Sequence, residues 1–407
     1  MFKACQILES EITSLNNMKK LLDYLHLRKL GLLEILFALY PILGAYKYGV
    51  PLNLIVIIFM DVLALITRKK HPIENRLLIW LFAFVFVHEI VVFLFSGLTS
   101  SHFNSILSLT IILVSIFILA PRLNYEKMMG ALNIVAIISC FGIFYHLMLL
   151  LSGQMITPIP LPFLPEPDLS SRLFEEGFRP CSFFMEPASF VTYLMIPLFV
   201  SAFERKYILM AFYLVSIFLS TSTNGIILAP ILVISSLFLQ KRLSGFTVVA
   251  LLLLVGVFYF FANSTLFEGG LQKLESTEVE SNSRLSNGPW LVKQMPIEHI
   301  VFGIPVHTNQ EYFRMEGIST ERVDKNNSFY MSDFWRVLVV YGIVGLILHL
   351  LSLLNFIRIE HSITPYIIVL LIAQFTQSVA FSSNYAFQVC FILCFIRYQQ
   401  LRKQIIQ

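Results

Sequence analysis

The 407-residue sequence predicts an all-α fold, a polytopic helical membrane protein with about twelve transmembrane helices and two long outward loops. Three observations carry that expectation. The chain is 57% hydrophobic and 13% charged, with a mean hydropathy of +0.76, whereas a soluble domain carries about 25% charged residues. Its apolar runs approach the roughly 20 residues that cross a bilayer core. They are continuous rather than alternating, which argues against a β-barrel. Finally, Lys and Arg fall on every second connecting segment.

In chain order the expected spans are Leu32–Tyr46, Leu52–Thr67, Leu77–Phe95, Ser105–Ala120, Gly130–Leu151, Ala188–Phe203, Tyr207–Ser220, Gly225–Leu239, Phe246–Phe261, Phe334–Ile357, Ile363–Ala380 and Tyr385–Ile396. One set of connecting segments holds Lys19–Lys20, Arg28–Lys29, Arg68–Lys69–Lys70, Arg76, Arg122, Lys127, Arg205–Lys206, Lys241–Arg242, Arg358, Arg397, Arg402 and Lys403. The other set is nearly free of basic residues, Lys47 excepted. Positive charge stays on the cytoplasmic side, so both termini are expected there. The basic start lacks a small-residue cleavage site after a short apolar core, so the first span is expected to be retained. The net charge of +4 does not suggest nucleic-acid binding.

Residues 1–407 are read as a single integral membrane domain, with outer loops at 152–187 and 262–333. The first loop contains TPIPLPFLPEP, which should be stiff and extended. The second contains Arg284 and an amphipathic stretch with Trp290, expected as an interfacial helix. Long outer loops are disproportionately functional.

Among five cysteines, Cys390 and Cys394 share a helix face without His or carboxylate, which reads as apolar packing rather than a metal site. Cys181 alone faces a polar loop. Of the intramembrane ionisable residues, His88 and Glu89 are read as interhelical contacts, and Glu34 as solvated near the cytoplasmic end.

FRPCSFFMEPASF, residues 178–190, sets Arg179 and Glu186 at the edge of the sixth span. In the plainer reading Arg179 anchors to headgroups and Glu186 caps the helix, with Pro187 in its first turn. In the functional reading Arg179 binds a phosphate or carboxylate, to which its planar fork donates two parallel hydrogen bonds. LSTSTNGIIL, residues 219–228, forms a polar turn whose hydroxyls are expected to satisfy freed backbone groups. In NNSFYMSDFWRVLVVYGIVGL, residues 326–346, Gly342 and Gly345 permit close helix packing.

Together these stretches resemble the superfamily of oligosaccharide repeat-unit polymerases and O-antigen ligases, which are bacterial inner-membrane glycosyltransferases. The resemblance rests on RP-x-SFF-x-EP-x-x-F at Arg179–Phe190 and S-x-S-x-x-G at Ser220–Gly225. It continues with Arg284, Trp290 and Phe302–Pro305, then Asn327–Phe329 before a glycine-bearing span. Where ligases typically carry a histidine, this chain has Asn326–Asn327–Ser328, which favours a polymerase. The R-x10-G repeats of some polymerases do not occur at Arg172, Arg179, Arg284, Arg314 or Arg322.

The resemblance implies a substrate, undecaprenyl-pyrophosphate-linked oligosaccharide, polymerised at the outer face into O-antigen or capsule. It implies Arg179 and Arg284 as donors to the departing pyrophosphate, with Glu186 as the base or as the group that orients Arg179. Arg172, Ser222, Trp290, Asn326 and Asn327 are its substrate-binding candidates. The implied partners are membrane lipids, a chain-length regulator and a flippase. Other candidate bases are His299 and His307. Glu166, Asp168, Glu175 and Glu176 read as solvated loop charges, so neither metal nor cofactor is expected. Ligase and flippase are the rival readings.

Overall fold

Within the described residues (25, 30–67, 75–95, 100–165, 167, 179–240, 283–304, 331–377 and 379–406) the computed structural model is all-helical apart from one two-residue strand pair. Helices α1 (Leu32–Leu43), α2 (Leu52–Thr67), α3 (Arg76–Phe95), α4 (Ser100–Leu119) and α5 (Tyr125–Leu151) coincide with the first five apolar runs. Lys47–Tyr48 pairs antiparallel with Val50–Pro51 in the turn between α1 and α2. Next come α6 (Pro187–Phe203), α7 (Tyr207–Leu219) and α8 (Thr223–Leu239). The expected span Phe246–Phe261 lies outside the described residues. After it come α9 (Ser283–Val292), α10 (Ile297–Phe302), α11 (Asp333–Ile359), α12 (Thr364–Ala373) and α13 (Ser383–Ile406).

α6 is the axis of the bundle, with every residue from Phe190 to Ala202 buried. A helix that is apolar all round has to be covered on every side. α5 and α8 flank it, and α12 and α13 close it through rings: Phe199 sits 5.5 Å from Tyr366 and 5.3 Å from Phe395. The outward faces are apolar too. Ile55, Ile58, Phe59, Val62, Leu65 and Ile66 of α2 are all exposed. α5 is 27 residues long and apolar enough to cross a bilayer. α11 has the same count, but it is broken.

The break is at Gly342, whose φ of 64° and ψ of −174° are not helical. The Phe334 amide donates to the Gln374 carbonyl at 3.0 Å, while the Gln374 side chain meets His349 Nε2 at 2.8 Å. In an unbroken helix residues 334 and 349 would stand roughly 22 Å apart. One glutamine cannot span that, so the segment before Gly342 is turned back toward the segment after it. The expected single span Phe334–Ile357 is therefore two pieces. The expected span Ile363–Ala380 is also corrected. Its helix stops at Ala373, and the chain turns through Phe381 at φ 58°. Contacts from α11 replace the helical hydrogen bonds there.

Helix ends sort to two sides. On one, the Asn124 amide donates to Glu34 at 3.0 Å, Tyr125 meets Glu204 at 3.4 Å and Arg397 donates to the Ala120 carbonyl at 3.2 Å. Glu34 is fully buried there, not solvated as expected, because it accepts the backbone at the α4–α5 junction. The basic residues Arg122, Lys127, Arg205, Arg358 and Arg402 belong to helix termini on this side. The opposite end carries the N-termini of α6, α8 and α13 and the C-termini of α5 and α7.

On the basic side Glu360 takes Lys403 Nζ at 2.7 Å and the Ser362 hydroxyl at 2.9 Å. Burial works to raise its pKa, but the Lys403 and Ser362 bonds prevail and hold it below the ordinary value of 4.5. A lowered folded-state pKa adds stability above the ordinary value and loses it as pH falls through the lowered one. Glu360→Gln should therefore shrink the drop in melting temperature on acidification below pH 4.5. An unchanged acid limb in detergent melts would refute this.

Candidate functional site

The loop entering α6 is seated against α5. Cys181 donates its amide to His146 Nδ1 at 3.3 Å, and Ile159 of the proline-rich segment donates to the Ser182 carbonyl at 2.8 Å. Ser182 is fully buried and left-handed at φ 57°. It lies so close to α5 that a Cβ on Gly142 would come within 2.2 Å of its hydroxyl. Tyr46 holds the same segment, its hydroxyl accepting the Leu161 amide at 2.7 Å. Cys181 is thus buried, contrary to the polar surroundings expected of it, because the prolines fold this loop onto the bundle. Glu186 occupies the N-cap position of α6 with Pro187 as the first helical residue, but its side chain makes no cap hydrogen bond.

Seated this way, Arg179 donates from Nη1 to the Thr221 carbonyl at 3.1 Å. Thr221 is left-handed at φ 55° in the turn between α7 and α8. Ser220 closes that turn by donating to the Ile217 carbonyl at 2.7 Å. Ser222, buried, is the N-cap residue of α8 without a side-chain cap bond. A Cβ on Gly225 would come within 2.7 Å of Val191, so this glycine lets α8 close on α6. Residues 42 apart in sequence therefore meet. The Thr221 carbonyl is a neutral partner that ties the guanidinium to the α7–α8 turn.

A second pair of stretches also meets. The Gly303 position faces the Val340 carbonyl and the Gly342 position faces the Val301 carbonyl, with room for a Cβ at neither. The Ile304 amide donates to the Val339 and Val340 carbonyls, 3.1 Å each. Instead of one interfacial helix the segment forms α9 and α10, parted at Lys293–Pro296, because its apolar face packs on α11. Trp290, half-buried, packs against the cluster of Leu291, Met295, Ile304, Met331 and Val339. Arg284 lies on α9, its side chain outside the described residues. Arg172, Asn326, Asn327, His307, Glu166, Asp168, Glu175 and Glu176 also lie outside them. His299 is on α10.

Between these pairs lies a polar junction that sequence reasoning missed. The Asp333 carboxylate accepts the Val379 and Ala380 amides at 2.7 Å each, and Arg336 donates to the Ala380 carbonyl. The Thr192 hydroxyl on α6 donates to Gln377 at 3.2 Å. Asp333, His349, Gln374, Gln377, Tyr385 and Gln388 line a cavity of about 30 Å³, room for one water. Sequence does carry a signal here, three glutamines within two otherwise apolar spans. Polar residues at such depth mark function or tight pairing. A search confined to charged side chains passes over them.

His88 and Glu89 lie 3.6 Å apart on α3. Tyr341 of α11 stacks edge-on at 5.3 Å to His88, and Glu89 is buried on the same helix as His88. That is the interhelical role expected of His88. Among the described residues no three His, Cys, Asp or Glu side chains gather.

Fold and site together define a helical bundle with an apolar exterior and, opposite its basic side, an end where polar and glycine-fitted segments converge. No protein-family model matches the sequence, and no curated protein matches it.

Proposed function

We propose that this chain is a multi-pass membrane glycosyltransferase that polymerises undecaprenyl-pyrophosphate-linked oligosaccharides into a surface polysaccharide, O-antigen or capsule. In this reading about twelve helices cross the bacterial inner membrane, with both termini cytoplasmic and the Arg179 end facing outward. The observation that supports it most is the Arg179–Thr221 contact, which joins the two stretches of the resemblance opposite the basic helix ends.

The acceptor sugar's hydroxyl oxygen attacks the anomeric carbon of the donor unit. The bond from that carbon to the pyrophosphate oxygen breaks, its electron pair leaves with the pyrophosphate, and the hydroxyl proton passes to a base. Negative charge grows on the leaving group, where fixed donors act most strongly. Arg179 is assigned that role, joined by Arg284. Glu186 is the candidate base or the group that orients Arg179. Ser222, Trp290, Arg172, Asn326 and Asn327 are assigned to the substrate.

A deletion strain tests the reading through a gel of its surface glycans. Losing a polymerase leaves single-unit caps, and losing a ligase or flippase leaves none. Complementation with Arg179→Lys should slow chain extension about 100-fold, since a lost donor costs about 3 kcal/mol. Long chains at the normal rate from Arg179→Lys or Arg284→Ala would refute the assignment. The flippase reading draws support from broken α11 and its polar lining, because discontinuous helices form the sites of many transporters.

A further inference from the structure

His146 lies in α5, five residues before its end, and no motif includes it. It is buried to 1% exposure, and Nδ1 accepts the Cys181 amide at 3.3 Å. An imidazole nitrogen accepts only when it carries no proton, which leaves the proton on Nε2. The ring also lies near the Thr157 backbone, and Nε2 has no hydrogen-bond partner among the described residues. The ring thus stands between the two arms of the loop, Thr157 on the outgoing arm and Cys181 on the returning one. One turn earlier on the helix, Gly142 opens the space that Ser182 fills. Cys181 is two residues from Arg179, and Ser182 is left-handed at φ 57°. A displaced Cys181 amide therefore carries the Arg179 backbone with it.

We propose that His146 is a positioning residue, holding the loop through the Cys181 amide so that the Arg179 guanidinium stands at the turn between α7 and α8. The proposal rests on the reading of Arg179 as the donor to the leaving pyrophosphate. Gly142 is the second half of the seat, since an added methyl there displaces Ser182. Small displacements of a reacting group, about 1 Å, cost on the order of 100-fold in rate.

Two readouts test it in the full-length protein. The first is chain length on surface glycans of a deletion strain carrying each variant. His146→Leu should slow extension about 100-fold. His146→Asn, whose carbonyl oxygen accepts an N–H, should recover most of that loss. His146→Leu should add little to Arg179→Lys, because both act through one guanidinium. The second readout needs no activity. With Cys181 as the sole cysteine, a membrane-permeant maleimide should label His146→Leu and Gly142→Ala but neither wild type nor His146→Asn.

Equal damage from Leu and Asn would show that the ring only fills space and would overturn the proposal. So would additive losses in the double variant, or wild-type extension by His146→Leu. If the wild-type gene fails to restore long chains, the glycan reading falls, and maleimide labelling still decides whether His146 holds the loop.

Discussion

Alanine at Gly342 should prevent the chain from reaching its native packing. At φ 64° and ψ −174° the residue sits in a backbone region essentially reserved for glycine, at a cost of about 1–3 kcal/mol for any other. The added Cβ would stand 2.1 Å from the Val301 carbonyl oxygen, and backbone cannot step aside as a flexible side chain does. Strain and overlap together should exceed about 4 kcal/mol, the range in which single substitutions unfold proteins. Gly303→Ala should do the same, since its Cβ would meet the Val340 carbonyl at 2.0 Å and its φ is 86°. Gly153→Ala is the control: φ is 72° but nothing lies within 4 Å, so only the strain applies. Thermal melts in detergent should show large losses for the first two and a small one for the third. A Gly342→Ala protein melting within about 2 °C of wild type would contradict the break in α11.

Asp333→Ala should be the other severe change. Its carboxylate accepts the amides of Val379 and Ala380, while Arg336 donates to the Ala380 carbonyl from the other side. The pair grips a turn whose Val379 and Ala380 amides bond to this carboxylate. Hydrogen bonds to a charged group are worth about 1.5–3 kcal/mol each, so losing the carboxylate should cost about 4 kcal/mol. A water entering the adjoining cavity could replace part of this loss, since Val379 and Ala380 line it. Asp333→Asn keeps one acceptor and should cost less. Hydrogen exchange reads the effect directly: the Val379 and Ala380 amides should be slow in wild type and fast in Asp333→Ala. Equal protection in both would refute the clamp.

Much of the helical plan was legible. Runs such as Leu52–Thr67 and Tyr207–Ser220 became α2 and α7 nearly residue for residue, because apolar length and helix geometry are local properties. The Arg179 stretch and the turn at Ser220–Gly225 could be singled out, but their contact could not. It depends on α5, which supplies His146 and Gly142 from far along the chain. Glu34 and Cys181 were misplaced for a related reason. Each looked exposed beside its sequence neighbours, and each is covered by a segment distant in sequence.

The sequence by itself determined the helical class and the positions of most helices, since hydrophobicity acts residue by residue. Only the tertiary structure decided that α6 is the buried axis, that α11 breaks at Gly342, and that Asp333, His349 and three glutamines surround one cavity. Those outcomes come from packing and hydrogen-bond satisfaction between distant segments. A buried amide takes whichever partner the fold brings within 3 Å or so, and spacing along the chain does not specify that partner.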